Sequence, residues 1–336
     1  MVYSLARVLV TGVTGQIGHY AATLLSQRGA TVYGLIRQTT KDRSSAKLPY
    51  LPISGDLLDE YSLMSILEEV RPTHLFNFGA QSFIPASWTQ PILTAQYTAL
   101  GLVRLLEAIR RVVPSCRLLQ AGSSELFARA TTSPQDESFP ISPRNPYGIA
   151  KAFAFHTVLA HREHYGLHAT NAIFFTNESP RRSPEFLFRK VTKSVAEIVA
   201  KRRDKLVLGN LDTVRDWGFA PEYAEIAVDL LDLAHADDYV VATGEGRRIR
   251  DLVETAFSLV GLDWHSHVET DAAFARPSEP SPLIGNASKL RAALGRDVQV
   301  RFEHLVRYML ASDLTLEGLD VPFEIPAGRY AEFARP

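Results

Sequence analysis

A glycine-rich turn near the N-terminus places the strongest constraint on how this chain folds. The segment GVTGQIG, residues 12–18, follows the apolar run Arg7–Thr11 and precedes apolar residues at helical spacing. Glycines at such a strand-to-helix turn allow a tight bend and let a pyrophosphate reach backbone N–H groups at the helix N-terminus. The spacing is GxxGxxG, and an ordinary glycine-rich turn is the alternative. The candidate cofactor contacts in this turn are Gly12, Gly15, Gln16, Ile17 and Gly18.

Strand-like and helix-like stretches alternate after this turn. Apolar strands are predicted at residues 31–36, 73–78, 117–121 and 169–175, and helices at residues 63–70, 100–110 and 146–165. Continuous apolar strands between amphipathic helices indicate a parallel sheet that is covered on both faces. The sequence therefore predicts an α/β fold with a doubly wound, Rossmann-type parallel sheet.

The alternation stops near residue 175. A polar, proline-containing segment, 177–190, is followed by a predicted helix at 191–203, a strand at 206–208 and a late strand at 239–243. We predict a cofactor domain over residues 1–175 with a return segment at about 211–243. A smaller, mainly helical C-terminal lobe would bind the substrate with residues 176–210 and 244–320, and residues 321–336 would form a tail.

Composition excludes several classes of partner. The net charge of −1 across 336 residues gives no basic excess for binding nucleic acid. The single cysteine, Cys116, rules out an intramolecular disulfide. The N-terminus has no signal-peptide layout, and no apolar run reaches the length needed to span a bilayer. We expect a cytoplasmic protein without a membrane partner.

The end of the second strand predicts which nucleotide is bound. An acid there favours a free ribose 2′-hydroxyl, whereas an arginine accommodates a 2′-phosphate. Here Arg37 follows the strand and residues 34–41 contain no acid, so NADP is favoured over NAD; a solvated arginine is the alternative. Asp56 and Leu57 follow the third strand candidate, where Asp56 would lie near the adenine or act as a turn and helix cap.

Tyr147 and Lys151 form a YxxxK pair that shares one helix face. A nearby ammonium favours phenolate, so Lys151 is expected to lower the pKa of Tyr147 and make it a base. Ser123 and Glu125 follow the strand at 117–121, and strand C-termini are where doubly wound folds place their sites. The alternatives are a surface Tyr–Lys pair and a glutamate that only caps a helix.

Two other groups of reactive side chains are weaker candidates. Four histidines cluster around one predicted helix, but metal sites usually need supporting carboxylates or thiolates, and we predict no metal. The histidines are His156, His161, His164 and His168. Cys116 has no evident activating partner and is interpreted as a small buried residue.

From Thr11 to about Leu316, the chain resembles the GDP-mannose 4,6-dehydratases. The matching segments are TGVTGQIG, NFGAQSFIPASW, ALGLVRLLEAIR, GSSELF, SPRNPYGIAK, NESPRR, FRKVTK, LGNLDTVRDWGFAPEY, DDYVVATG and RPSEPSPLIGN. The resemblance implies that Ser123 contacts the sugar and that Glu125 is the acid/base carboxylate. Tyr147 and Lys151 match the family's tyrosine and lysine.

The resemblance also implies a nucleotide-sugar substrate, with GDP as the expected nucleotide. Arg215, Arg276 and Glu279 match residues that hold the diphosphate and its ribose, and Lys190 would lie near the same group. The remaining substrate-site candidates in the matching segments are Ser82, Ser87, Asn177 and Glu178.

The chain departs from the family pattern at several positions. Ser123 replaces a threonine, Ile17 an aspartate, and Thr176-Asn177 an Asn-His pair in the substrate pocket. The loop after Arg37 is short and carries fewer arginines, and in the family this loop joins tetramer contacts. We therefore expect a homodimer, with a homotetramer as the alternative.

The resemblance implies an internal redox cycle. Tyr147 removes the sugar 4-hydroxyl proton as hydride leaves C4 for NADP, Glu125 removes the C5 proton while the C6 hydroxyl leaves as water, and hydride returns to C6. The product would be a 4-keto-6-deoxy sugar. A reductase or epimerase on the same scaffold is the first alternative, and a non-catalytic nucleotide-sugar or NADP(H)-binding protein is the second.

Overall fold

The main sheet contains seven parallel strands, in a computed structural model that describes residues 3–37, 48–271 and 281–334. The strands of the described chain are β1 (Arg7–Thr11), β2 (Thr31–Ile36), β3 (Leu51–Ser54), β4 (His74–Asn77), β5 (Arg117–Ala121), β6 (Ala169–Phe174), β7 (Thr176–Glu178), β8 (Leu206–Leu208), β9 (Val214–Phe219), β10 (Asp238–Val241), β11 (Gly246–Arg248) and β12 (Val268–Thr270). The order in the main sheet is β10-β6-β5-β4-β1-β2-β3. The predicted doubly wound parallel sheet is confirmed.

The helices of the described chain lie mainly between these strands. They are α1 (Gln16–Gln27), α2 (Glu60–Val70), α3 (Ile84–Thr89), α4 (Pro91–Ala95), α5 (Gly101–Val112), α6 (Pro146–Tyr165), α7 (Leu187–Val199), α8 (Ala220–Leu231), α9 (Ile249–Leu259), α10 (Ser288–Leu294) and α11 (Phe302–Leu316). Sequence periodicity did not predict the short helices α3 and α4, which are too brief to show an apolar stripe.

Strand order determines where a ligand can enter. The chain runs from β1 outward to β2 and β3, then returns to the other side of β1 as β4. In open α/β sheets the crevice outside the carboxyl ends of the strands opens at such a reversal. The turn after β1 and the segments after β4 and β5 therefore face the same space.

Both faces of the main sheet are buried because alternate residues of each strand point to opposite sides. In β1, Val8 and Val10 pack into one core with α1 and α8. Leu9, between them, packs into a second core with α2 and α5. This explains why β1 is a continuous apolar run and not an alternating one.

A continuous helical stretch, Pro91–Val112, joins α4 and α5 through the π-helical turn Gln96–Leu100. By length and composition this 22-residue stretch could cross a membrane, although half of its apolar window is buried inside the protein. The expectation that no apolar run reaches that length is wrong, because the sequence pattern predicted a helix only over residues 100–110 and missed the part of the stretch before it. Its second half, α5, packs against α2 and α6 in the core.

A separate core lies in the C-terminal lobe, built mainly from α7, α9 and α11 with β8 and β9. Helix α7 begins four residues before the predicted 191–203. Within the predicted return segment, α8 packs on α1 and β10 joins the main sheet. Strand β9, by contrast, pairs with β7 and β11 in a small sheet, so the return to the main sheet begins at α8.

Part of the tail packs on this lobe. Val321, Phe323 and Ile325 contact its core, and Tyr330 is buried within it. The Tyr330 hydroxyl donates to Glu225 on α8 at 2.8 Å. The described tail residues thus connect the lobe to the layer of helices beside the main sheet.

Candidate active site

A cavity of about 720 Å³ opens at the carboxyl edge of the main sheet. Its walls come from the turns after β1 to β5 on one side and from β7, α7 and β9 on the other. Most of the predicted site residues line it: Gly12, Gly15, Gln16, Ile17, Gly18, Arg37, Asp56, Leu57, Ser82, Ser123, Glu125, Tyr147, Lys151, Asn177, Glu178, Lys190 and Arg215. One space therefore holds the candidates for cofactor, chemistry and substrate.

Three predicted substrate residues are not placed in the cavity wall. Ser87 is fully buried in α3, and its hydroxyl donates to the Ile84 carbonyl at 2.7 Å. It bonds to its own helical turn and does not line the cavity, so the structure does not bring it together with the other substrate candidates. Arg276 and Glu279 lie outside the described residues.

The glycine turn fits the pyrophosphate of a dinucleotide. Gly12 has a positive φ of 64°, which favours glycine. A Cβ on Gly18 would overlap the Gly12 carbonyl oxygen, so the turn closes tightly only without a side chain there. The first turn of α1 contains no acidic residue to repel a phosphate. Backbone N–H groups at this helix N-terminus can therefore receive an anion.

Gln16 connects the glycine turn to β7 and to the segment that follows it. Its Nε2 donates to the Asn177 carbonyl at 3.4 Å, and its Oε1 accepts from the Ser179 hydroxyl at 2.7 Å. The sequence suggested Gln16 only as a cofactor contact. The connection to Ser179 was missed because the two residues are 163 positions apart.

The turns after β2 and β3 form the outer end of the cavity. Arg37 is exposed and lies over the Tyr97 ring, with 5.6 Å between Cζ and the ring centroid. The Tyr97 hydroxyl donates to Asp56 Oδ2 at 3.2 Å, and Asp56 Oδ1 accepts from the Leu58 amide. Asp56 thus lines the cavity and also serves as a turn acceptor. Residues 38–41, whose lack of an acidic side chain also favoured NADP over NAD, lie outside the described residues.

Tyr147 and Lys151 are both buried on the inner face of α6. Lys151 Nζ donates to the Ala121 carbonyl at 2.7 Å and lies 5.7 Å from the Tyr147 ring centroid. Burial lowers the pKa of Lys151 to about 8. Burial also raises the pKa of Tyr147 to about 12, although a hydrogen bond with Ser123 opposes the rise. The expected lowering of the Tyr147 pKa by Lys151 is absent, because loss of hydration dominates. The pair is buried, so the alternative of a surface pair is wrong.

The Ala121 carbonyl is held by a chain of buried amides beneath the site. Gln120 Nε2 donates to it at 2.8 Å, and Asn77 Nδ2 donates to Gln120 Oε1 at 2.6 Å. Asn77 Oδ1 in turn accepts from the Thr11 hydroxyl at 2.5 Å. These bonds cross β5, β4 and β1, and they fix the acceptor to which Lys151 is bound.

Glu125 lies in a short 3-10 turn, Ser124–Phe127, directly after β5. Ser123 caps this turn by accepting from the Glu125 amide at 3.3 Å. The Glu125 carboxylate instead accepts from Asn145 Nδ2 at 2.7 Å and lines the cavity. The alternative in which Glu125 only caps a helix is therefore wrong. Asn145 is a site residue that sequence reasoning missed.

The substrate side of the cavity is rich in charge. Glu178 is fully buried, and burial raises the pKa of its carboxyl to about 7 against the opposing charges of Arg182 and Arg189. Glu178 Oε2 lies 3.3 Å from Arg182 Nε, and the Arg182 guanidinium stacks over the Phe186 ring. Arg182 lines the cavity and was also missed, although it lies inside the NESPRR segment.

Two further cations line the same wall. Lys190 Nζ donates to the Val207 carbonyl, and Arg215 Nη1 donates to the Val214 carbonyl. Next to Arg215, the buried Asp216 carboxylate accepts from Thr243, Gly244 and Gly285 at 2.5–3.1 Å. Asp216 thus anchors both the end of β10 and the segment that begins after residue 280.

Two of the weaker sequence candidates, His161 and Cys116, have contacts or burial typical of structural residues. His161 on α6 contacts the Thr157 carbonyl and Glu107. Burial raises the pKa of the Cys116 thiol to about 12, which keeps it protonated. Within residues 3–37, 48–271 and 281–334, no cluster of three His, Cys, Asp or Glu side chains could hold a metal ion.

A family model described as GDP-mannose 4,6 dehydratase matches residues 9–309. The chain belongs to the GDP-mannose 4,6-dehydratase family. The resemblance drawn from the motifs is confirmed, and the protein is an enzyme of the nucleotide-sugar dehydratase type. GDP-mannose 4,6 dehydratase 1 of Arabidopsis thaliana is 40% identical over 328 residues, which cover 92% of this chain and 90% of that protein.

Two solved structures show that the fold of this family member is shared more widely. A UDP-glucose 4-epimerase of Thermotoga maritima, solved with UDP-glucose, has a TM-score of 0.82 at 20% identity and covers 93% of this chain and 99% of that chain. The RMD protein of Pseudomonas aeruginosa, solved with NADPH, has a TM-score of 0.79 at 21% identity, with the same coverage of both chains. At these identities the similarity establishes the fold alone.

Proposed function

We propose that this protein converts GDP-mannose to its 4-keto-6-deoxy form with a bound NADP. The observation that carries the proposal is a single cavity in which the glycine turn, the Glu125–Tyr147–Lys151 group and the cations of the substrate side meet. The family match extends across the substrate side as well as the glycine turn, which supports the same substrate class.

A nicotinamide dinucleotide is the cofactor class, and its glycine-turn site is built for a pyrophosphate. Gly12, Gly15 and Gly18 would hold the pyrophosphate, and a bound nicotinamide would supply reversible hydride transfer with the sugar. Arg37, at the end of β2, supports NADP because a guanidinium pairs with a 2′-phosphate. Titrating NADP and NAD into the protein tests this assignment; NAD binding that is equal or tighter would contradict it.

Proton movements belong to the chain's own residues. Tyr147, hydrogen-bonded to Ser123 and next to the Lys151 ammonium, would take the proton of the sugar 4-hydroxyl in its phenolate form. Burial disfavours that phenolate, and the positive charge of a bound, oxidised nicotinamide would favour it. The resulting ketone acidifies the C5–H bond. Glu125 then removes the C5 proton and passes a proton to the departing C6 hydroxyl, which leaves as water. The proton balance of the elimination therefore closes on one carboxyl group. When hydride returns to C6, C5 must take up a proton, which Glu125 delivers after it has been protonated again by solvent.

A reductase or epimerase would use Tyr147 and Lys151 but would not need a base at C5. Incubation with GDP-mannose in D2O separates these reactions, with mass spectrometry for loss of water and absorbance for net NADPH change. We expect loss of water, deuterium at C5 and no net NADPH consumption. Clean NADPH consumption without exchange, on a 4-keto sugar, would favour the reductase.

Substitution of Glu125 tests the assignment at the residue level. Glu125→Gln keeps the size of the side chain but removes its basicity. We expect normal binding and continued reduction of some bound NADP, with product formation and C5 exchange lowered by about 10²-fold or more. Near wild-type exchange would exclude Glu125 as the base.

We also propose a homodimer through an apolar surface on α3, α4 and α6. Its exposed residues are Trp88, Ile92, Ile149 and Phe153, on helices that contact one another. Adjacent large apolar side chains of this kind mark interaction sites. Phe153→Asp should convert a dimer to a monomer in light scattering, and an unchanged mass would contradict the proposal. The cytoplasmic location and the homotetramer alternative stay predictions.

A further inference from the structure

The Asn145 side chain connects two parts of the candidate active site. Its Oδ1 accepts from the Gly148 amide at 2.8 Å and so caps the N-terminus of α6, the helix of Tyr147 and Lys151. Its Nδ2 donates to Glu125 Oε2 at 2.7 Å. With only 8% of its surface exposed, Asn145 makes both bonds away from bulk water.

The packing around this amide is equally close. A Cβ on Gly148 would lie 3.0 Å from the Glu125 carbonyl oxygen and 3.4 Å from Glu125 Cβ. The first turn of α6 therefore lies directly against the backbone of Glu125. The separation between the carboxylate and the Tyr147 helix is set by this contact and by the Asn145 amide together.

We propose that Asn145 is a positioning residue for the elimination step, which orients the Glu125 carboxylate and stabilises its charged form. This inference rests on the proposed function, in which Glu125 is the base at C5. A hydrogen bond to an ionised carboxylate is short and strong, and it fixes the direction in which the remaining lone pairs point. It also favours ionisation, because the donor interacts more strongly with the carboxylate than with the acid.

Other groups act on the same cluster and would not be changed by a substitution at Asn145. The Tyr147 phenol on α6 interacts with the Glu125 charge, and Arg182, from the segment after β7, interacts with Tyr147. Ser123 contributes only a neutral hydroxyl. Arg144 precedes Asn145 and is kept intact in every variant.

The two bonds of Asn145 can be separated by substitution. Asn145→Asp keeps an oxygen that caps α6, since aspartate is as good an N-cap as asparagine. It has no donor for Glu125 and instead places a second carboxylate beside it, which opposes ionisation of the base. Asn145→Ser also keeps a cap, but its side chain is too short to reach Glu125. A residue that only capped the helix would tolerate both changes.

The experiment measures two half-reactions of the cofactor-loaded enzyme with GDP-mannose in single turnover across a range of pH. Formation of bound NADPH reports oxidation at C4, and deuterium incorporation from D2O reports proton removal at C5. For Asn145→Asp, we expect the acid limb of the C5-exchange profile to move up by about one pH unit or more. Exchange at pH 7 should fall about 10-fold or more, while the rate of C4 oxidation and the GDP-mannose concentration that half-saturates it change by less than about 3-fold.

Two controls distinguish an effect on Glu125 from a loss of folding. Asn145→Ser should lower C5 exchange with a smaller pH displacement than Asn145→Asp, and thermal unfolding of both should stay close to that of the wild type. A 13C titration of the glutamate carboxyls, with Glu125→Gln to identify the resonance, reads the ionisation of Glu125 directly.

Three outcomes would overturn the inference. Wild-type C5 exchange with an unmoved profile in Asn145→Asp would remove the role of Asn145 and leave the proposed function standing. So would an equal loss of both half-reactions together with a lower unfolding temperature in both variants, because that pattern shows a general structural role and no separate effect on Glu125. Absence of C5 exchange in the wild type would instead overturn the proposed function, and this inference with it.

Discussion

The cofactor side of the cavity is built from turns that follow neighbouring parallel strands, whereas the substrate side depends on contacts between distant segments. Gly12 to Gly18 form one continuous turn between β1 and α1. On the substrate side, Arg189 on α7 bonds to Asp313 on α11, which is 124 positions away, and Asp216 bonds to Gly285. A local turn can be recognised in a sequence, while a contact across 124 positions cannot.

The two sides also differ in how they accommodate buried polar groups. Asp313 accepts from Arg189 and from Thr192 at 2.7 Å, and Arg189 donates further to the Pro180 carbonyl in the NESPRR segment. The cofactor side instead offers backbone N–H groups to the ligand, and its glycines have no side chain that would block the approach. On the substrate side, stability and GDP affinity should therefore be most sensitive to the loss of a charged side chain. On the cofactor side, cofactor affinity should be most sensitive to the addition of a methyl group.

The largest expected effect is on stability, from Asp313→Ala. This change leaves the Arg189 guanidinium buried without its carboxylate, which should lower the free energy of unfolding by about 3–5 kcal/mol. Thr192→Val is the matched control, since it removes only one hydroxyl bond to the same carboxylate and should cost about 1 kcal/mol. Urea unfolding measures both. If the two variants lose similar free energies of unfolding, the ion pair adds nothing to the stability of the lobe, and the difference drawn between the two sides fails.

The next effect concerns nucleotide binding through Arg215. Loss of a charge-assisted contact commonly costs about 1.5–3 kcal/mol, so Arg215→Ala should weaken GDP binding by about 10- to 150-fold. Cofactor affinity should stay nearly unchanged. Arg247 is a matched control because it pairs with Arg215 across β11 and β9 but does not line the cavity. If calorimetry gives both variants the same GDP affinity as wild type, Arg215 is not a substrate residue.

On the cofactor side, Gly18→Ala should have the complementary result. The added methyl group would overlap the Gly12 carbonyl oxygen, and overpacking of this kind costs about 1–3 kcal/mol. Cofactor affinity should fall by about 5- to 150-fold while GDP affinity holds. Thr23→Ala, on the same helix but bonded only to the His19 carbonyl, should change neither affinity. Unchanged cofactor binding in Gly18→Ala would show that the turn adapts to a methyl group, and it would contradict the view that the cofactor side depends on missing side chains.

The smallest expected effect tests the contact between the two sides. Gln16 bonds both to Ser179 and to the Asn177 carbonyl, and each such bond is worth about 0.5–1.5 kcal/mol. Gln16→Ala should lower the affinities for cofactor and for GDP by about 2- to 10-fold each. It should also reduce the gain in GDP affinity that bound cofactor provides. Calorimetry with each ligand in the presence and absence of the other measures this coupling, and an effect confined to the cofactor would show that Gln16 does not connect the two sides.

Much of the fold could be predicted because its elements have local causes. The apolar runs at Arg7–Thr11 and Arg117–Ala121 match strands with the same bounds, and α6 begins and ends where its apolar spacing predicted. The short strand β8 was also predicted with its bounds, but most other short elements were missed. The small sheet of β7, β9 and β11 has strands of three to six residues, and pairing between them comes from the tertiary arrangement.

The same division applies to the candidate site. Ser123, Glu125, Tyr147 and Lys151 could be found because each follows a strand or lies on one helix face. The roles of Asn145, Arg182 and the Gln16–Ser179 bond could not, because each depends on which side chain lies opposite in space. Ser87 shows the same limit from the other side, since a residue inside a matching segment is buried and bonds to its own helix and does not line the cavity.

By itself, the sequence determined the longer strands and helices and the dinucleotide turn, because backbone preference and apolar periodicity act over a few residues. Its motifs carried the resemblance to the family. Only the tertiary structure decided the electrostatics of the site. Burial raises the pKa of Tyr147 and lowers that of Lys151, which a YxxxK motif does not reveal. Hydration is lost through the packing of the whole fold, so the cost of charging a side chain depends on neighbours that are far away along the chain.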